Sequence, residues 1–436
     1  MDDAGTIAPG DVLVRDGRIA AVGRDAAAML GGEPPDERFD ATGMLVLPGL
    51  VQAHLHLCQT LFRGIAEHAD LMPWLRERIW PLEHAHTAAS AAASARLGLA
   101  ELLAAGVTCV NDMGTVRHTD AIGEVLETTG VRAVFGKALM DQGVGVPAGM
   151  LESSRAALDE VRALVRRFHG AGGGRLQVSL APRFILSCSE ESWEGVKAVS
   201  SELGLLVHTH LAEGPTEGRE VEQAVGRSAA RYFEHHGVLG PRFIGAHGVW
   251  LEADELQALQ RANAALAHCP NANLKLGSGL AHVRAWIDHD LRRGLGCDGA
   301  ACNNRLDPFL EMGSAGAISR VKDSARPLAA REVVALATCE GARALGLADR
   351  IGRLQVGLDA DVIAVDVSGP HHGPEPEHDP YAALVYAARG ADVALTMVAG
   401  RVLYRERAWT TLDPKAAVAD ARAERRGLLR RLGLAS

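Results

Sequence analysis

Eight short apolar runs, each followed by a stretch of helical composition, constrain this chain more than any other feature. They are Met44 to His56, Gly106 to Asp112, Val131 to Met140, Leu176 to Pro182, Leu203 to Leu211, Phe243 to Trp250, Ala264 to Pro270 and Gly294 to Gly299. The runs are continuously apolar rather than alternating, the pattern of parallel strands buried on both faces. Between them lie Ala/Leu/Glu/Arg-rich segments such as Ser90 to Ala105 and Leu151 to Phe168, whose spacing predicts helices. Strand and helix alternating eight times over about 250 residues predict a (β/α)8 TIM barrel, an α/β fold.

The two ends read differently. Residues 11–23 (DVLVRDGRIAAVG) predict a hairpin turning at Asp16-Gly17. Residues 351–366 and 392–404 predict further short strands with Gly/Asp turns. The chain thus divides into a β domain's N-terminal part at 1–47, a barrel at 48–348, the β domain's C-terminal part at 349–413 and a closing helix at 414–436. The two end parts are expected to join as a small β-sandwich beside the barrel. Residues 369–380 (GPHHGPEPEHDP) are Pro- and His-rich and predict an irregular loop.

Composition removes several function classes. The chain has 45 Lys+Arg against 54 Asp+Glu, a net charge of −9, which argues against a nucleic-acid binder because phosphate contacts need clustered cations. No apolar run approaches the roughly 20 residues of a membrane helix, and Met1-Asp2-Asp3-Ala4-Gly5 has no leader character. A cytoplasmic protein without a membrane partner is expected. The 7 cysteines are odd in number and scattered, with no CxxC pair, so neither a disulfide framework nor a cysteine-held zinc is expected.

Barrel enzymes place their chemistry at the C-terminal ends of the strands, and titratable groups stand there in five of the runs. The first ends in His54-Leu55-His56, and the fifth leads into His208-Thr209-His210-Leu211-Ala212-Glu213. The sixth contains His247, the seventh His268 and the eighth Asp298. Packing gives no reason for such a set, whereas neutral imidazoles with a carboxylate suit a borderline divalent cation such as Zn²⁺. Side chains two apart on a strand point the same way, so His54 and His56 can both face the barrel axis. His84-Ala85-His86 has the same spacing but enters a helical stretch, where positions two apart diverge.

The motifs PGLVQAHLHL (48–57), HTHLAE (208–213), AHGVWL (246–251), HCPNANLKLGSG (268–279) and GCDGAACNN (296–304), with GRLQVGLDADVIAVD (352–366), resemble the amidohydrolase superfamily over essentially the whole chain. The resemblance is to its deaminase and chlorohydrolase branch with one metal ion. It implies His54, His56, His210 and Asp298 as ligands of one divalent ion, Zn²⁺ first and Fe²⁺ or Mn²⁺ as alternatives. His208 then falls behind the ligands. The fourth run, LQVSLAP, lacks the lysine that bridges two ions in other members. The resemblance further implies Glu213 as proton shuttle, His247 and Asp298 as catalytic partners of a water, and His268 beside that water or the product oxygen.

The same resemblance points to hydrolytic deamination at the purine C6 of an adenosine-type nucleoside: 5′-deoxyadenosine, methylthioadenosine, adenosine or S-adenosylhomocysteine. Trp74 matches a base-stacking position and Glu83 one that binds ribose hydroxyls. Arg183 stands where those deaminases carry a base-contacting histidine, and the segment 140–150 (MDQGVGVPAGM) offers no arginine for an amino-acid carboxylate. Both departures shift weight toward 5′-substituted adenosines without a carboxylate. Guanine, 8-oxoguanine or pterin deamination and s-triazine hydrolysis use the same machinery and stay open as alternatives. Analogy also implies a homo-oligomer, dimer or larger.

Overall fold

The computed structural model describes residues 7–31, 34–67, 70–374 and 376–434. Its central sheet contains β1 (Leu50–His56), β2 (Val107–Asp112), β3 (Arg132–Leu139), β4 (Leu176–Pro182), β5 (Val207–Leu211), β6 (Phe243–His247), β7 (Ala265–His268), β8 (Arg292–Leu295) and β9 (Asp298–Gly299). All neighbouring pairs are parallel, running β8 to β1 in reverse chain order with β9 on the far side of β1. Only Gly296 and Cys297 separate β8 from β9. One run therefore pairs with β7 at its start and with β1 at its end, Asp298 beside Leu55 and Gly299 beside His56. This closes the ring as the (β/α)8 barrel that the alternation predicts.

The last run differs from the expectation in being two segments. A Cβ on Gly296 would lie 2.6 Å from the His54 carbonyl oxygen, so the chain presses against β1 where the ladder breaks. There the Cys297 amide donates to Gln52 Oε1 at 2.7 Å instead. The first run is likewise two strands. Met44–Pro48 joins the small sheet, and Gly49 is the joint, where a Cβ would sit 2.1 Å from Thr108 Oγ1.

That small sheet is antiparallel and holds, in spatial order, the strands Ala408–Trp409, Arg401–Arg405, Val393–Val398, Val362–Asp366 and Met44–Pro48. The predicted hairpin forms from Asp11–Arg15 and Arg18–Gly23, with Asp16 and Gly17 at positive φ as its turn requires. It is a separate layer. Val12, Val14 and Ile19 pack on Val46, Val362 and Met397, so both chain ends build a two-layer β unit. Residues 351–361 are turns rather than strand, and Gly352 and Gly357 at positive φ break the extended path. Arg132, fully buried at the start of β3, bonds Asp361 through Nε and Nη2 and Asp359 through Nη2, each at 2.9 Å. It fastens the barrel to the segment leading into the small sheet.

The helix Pro414–Arg431 begins on an Asp413 side-chain cap and lies against the helix Ala88–Ala104. Between β1 and that helix, the insertion carries a short helix Leu71–Trp74, a π turn Leu75–Ile79 and the helix Trp80–His84. Among the described residues no helix is long and apolar enough to cross a membrane.

Candidate active site

Alternation along β1 turns His54 and His56 to one face, and β5 does the same for His208 and His210. β6 ends on His247, β7 on His268, and β9 begins with Asp298. His247, Asp298 and Ala212, just before Glu213, all have positive φ (79°, 59° and 50°). Non-glycine residues rarely adopt that conformation, and where they do at strand ends it marks a site that the surrounding fold holds against strain.

The side chains converge. His54 Nε2 and His56 Nε2 lie 3.4 Å and 3.5 Å from Asp298 Oδ1, and His56 Nε2 lies 3.3 Å from His210 Nε2. His54, His56 and His210 each offer a ligand atom within 4.8 Å of the others, as do His54, His247 and Asp298. His54 Nε2, His56 Nδ1 and His247 Nε2 are buried without a hydrogen-bond partner, a costly state for neutral imidazoles unless a ligand satisfies them. This donor set fits a divalent ion of zinc type.

Their outer contacts orient the rings. His54 Nδ1 is 2.7 Å from His208 Nε2, so His208 is occupied with holding His54. His210 Nδ1 donates to the Arg183 carbonyl at 2.7 Å, leaving Nε2 toward the cluster. His247 Nδ1 lies 2.9 Å from Asn273 Oδ1; with Nδ1–H as donor, its Nε2 keeps a lone pair facing Glu213 Oε2 at 3.5 Å and Asp298 Oδ2 at 3.9 Å. Such outer bonds fix tautomer and direction in metal sites.

Electrostatics separates the two carboxyls. Burial raises Glu213 to about 7, only partly opposed by His247. Burial also opposes ionisation of Asp298, but the imidazoles of His54, His247 and His56 around it outweigh that and hold it well below the usual carboxylate range. One carboxyl can therefore carry a proton near neutrality while the other stays ionised, the division of labour expected of an acid and a ligand.

A small cavity opens onto this cluster, lined by His56, His210, Glu213, His247 and Asp298 together with Trp74, Arg183 and Phe184. Trp74 is held by its indole N–H donating to the Ala66 carbonyl at 2.8 Å. Glu83 does not line the cavity. It sits behind Arg183, which grips it with two N–H groups, and Gln59 Nε2 donates to it at 3.0 Å. His268 is not brought to the cavity wall either. Its ring meets Trp286 edge-on with centroids 5.9 Å apart, both ring nitrogens lack partners, and burial lowers it to about 3.

Gln59, Leu71, Leu75 and Glu217 also line the cavity, and sequence reasoning did not single them out. Glu217 is four residues past Glu213 on the first turn of the helix Pro215–Val225. Glu213 precedes that helix, so it is the turn at 212–214 that brings the two carboxyls into one cavity. Among the histidines set aside, His86 spends both nitrogens, on Ser90 Oγ and the Cys58 carbonyl at 2.9 Å each. All seven cysteines are free, and Cys302 is a buried thiol that burial pushes well above its ordinary range.

A closed barrel with an imidazole and carboxylate cluster at the C-terminal ends of β1, β5 and β6 and the start of β9 defines a hydrolase of the divalent-metal barrel class. The comparisons make this specific. The amidohydrolase family model matches residues 45–403, and the chain belongs to that family. It is 36% identical over 414 residues to the 5′-deoxyadenosine deaminase of Methanothermobacter thermautotrophicus, covering 95% of this chain and 93% of that one. It is 37% identical to the 5-methylthioadenosine/S-adenosylhomocysteine deaminase of Desulforudis audaxviator, covering 98% and 96%. Among solved structures it resembles an adenosine deaminase from Xanthomonas campestris with bound zinc, with a TM-score of 0.90 and 30% identity over 97% of this chain and 94% of that one.

Proposed function

We propose that this chain is a zinc-dependent aminohydrolase that converts an adenosine-type nucleoside and water to the inosine analogue and ammonia. Its preferred substrates are 5′-deoxyadenosine and methylthioadenosine, ahead of adenosine and S-adenosylhomocysteine. The observation that carries this reading is that Glu213, His247, the proposed ligands His56, His210 and Asp298, and Trp74 all line one cavity. The deaminase relatives add weight from outside the site.

His54, His56, His210 and Asp298 hold the ion. When bound, the ion supplies Lewis acidity that brings a water pKa from about 15.7 toward 7. Asp298, ionised, accepts a proton from the attacking water, and His247 orients that water through its Nε2 lone pair. Glu213 delivers a proton to the ring nitrogen beside the attacked carbon, so that negative charge does not build up there; its pKa of about 7 suits release and recovery at neutral pH. The exocyclic amine takes the proton that Asp298 accepted and leaves as ammonia, while the added hydroxyl returns a proton to Glu213 as the carbonyl forms. Trp74 stacks on the purine, and Arg183, held from behind by Glu83, meets the ribose side. Seven free thiols fit a reducing compartment, and we assign the protein to the cytoplasm.

The test is ammonia release by zinc-loaded protein from 5′-deoxyadenosine, methylthioadenosine, adenosine, S-adenosylhomocysteine, guanine and 8-oxoguanine. Turnover concentrated in the first three supports the reading. Turnover of guanine or 8-oxoguanine alone would keep the metal site and discard the roles given to Trp74 and Arg183.

A further inference from the structure

The chain holds a second cluster of metal-ligating groups, far from the cavity in both sequence and function. The strands Val362–Asp366 and Val393–Val398 pair antiparallel with Val365 beside Val393, so residues 367–392 form a long excursion whose ends return to one point. At that point His371 Nε2 lies 2.9 Å and His372 Nε2 3.3 Å from the same oxygen, Asp392 Oδ2. The two rings stand with centroids 4.3 Å apart at 41°, and one ligand atom from each of the three residues falls within 4.8 Å of the others.

Burial makes the arrangement informative. The His372 side chain is 0% exposed, yet neither of its ring nitrogens has a hydrogen-bond partner. A buried imidazole normally satisfies at least one nitrogen. Asp392 is held in place by the Arg389 amide at 2.9 Å, which leaves its Oδ2 shared between that amide and the two rings. The His371 side chain is 27% exposed, so a fourth corner is open to water.

We propose that His371, His372 and Asp392 form a second divalent-cation site, of zinc class, which closes the 367–392 excursion where two interior strands of the small sheet end and begin. Two imidazoles and one carboxylate select this class over magnesium or calcium. The ion would replace the His371–Asp392 hydrogen bond and the longer His372 contact with bonds that shut a long loop, and its binding would add to folding stability. With three protein ligands and partial exposure, it binds more weakly than the four-ligand barrel site. None of its residues lines the cavity, so its fate does not bear on the proposed deaminase.

The experiment uses the full chain stripped with a chelator and titrated with Zn²⁺, with bound metal counted by plasma emission after desalting. The wild type should retain about two ions per chain and the His371→Ala/His372→Ala variant about one, with catalysis unchanged. Asp392→Asn should lose the same ion and guards against a folding defect in the double variant. His54→Ala/His56→Ala should keep the peripheral ion. A wild-type count of one, or a count of two that survives in both His371→Ala/His372→Ala and Asp392→Asn, overturns the proposal.

Discussion

Arg183 and Glu83, buried 100 residues apart in sequence, form a two-point ion pair at the cavity: Nη1 donates to Oε2 at 2.5 Å and Nη2 to Oε1 at 3.1 Å. Removing one partner of a buried pair leaves an uncompensated charge, which costs about 3–5 kcal/mol, whereas replacing both is often close to neutral. Arg183→Ala should therefore destabilise the chain by that amount in urea unfolding. Arg183→Met combined with Glu83→Gln should recover most of it. Equal losses in the single and double variants would show that the pair does not act as a unit.

His208 tests the division between ligands and their supports. Its Nε2 is taken by His54 Nδ1, so it steers a ligand rather than contributing one. His208→Ala should weaken zinc affinity by about 10–100-fold in chelator competition, the range seen for lost outer-layer bonds. Complete loss of binding would make His208 a ligand.

Glu217 should set part of the pH dependence of stability. Burial, then the charge of Glu213, raises it to about 8 against an ordinary value of 4.5. The folded chain thus holds a proton that the unfolded chain releases, so this stabilisation is full below about pH 4.5 and is lost as pH rises through about 8. Glu217→Gln should raise the Tm at pH 8.5 by on the order of 2–4 °C and change it little at pH 5. An equal change at both pH values would contradict the assignment.

Trp74 lines the cavity and is anchored through its indole N–H. Trp74→Ala should raise KM by about 3–10-fold with kcat much less affected, as expected for a lost stacking contact. A fall in kcat at unchanged KM would place Trp74 in another role.

The barrel was legible because parallel strands buried on both faces leave uninterrupted apolar runs, and His54 and His56 because strand alternation puts neighbours-but-one on one face. The joint at Gly49 was hidden, since Met44 to His56 reads as one apolar run although it serves two sheets. The Arg183–Glu83 pair was hidden for a different reason: it is a long-range meeting of two charges that each read as a substrate contact. His247 and Asp298 were visible as residue types at strand ends, but their positive φ and the Asn273 bond that sets the His247 tautomer arise only from tertiary packing. Glu217 escaped because a glutamate opening a helix is an ordinary N-terminal residue, and only burial makes it exceptional.

The most direct measurement is ammonia release from 5′-deoxyadenosine by wild type and Glu213→Gln at matched zinc content. The account predicts that the variant keeps its ion and loses turnover by about 100-fold or more, the scale of a lost proton-transfer group. Turnover equal to wild type at equal zinc would contradict the proton-shuttle role and with it the proposed mechanism.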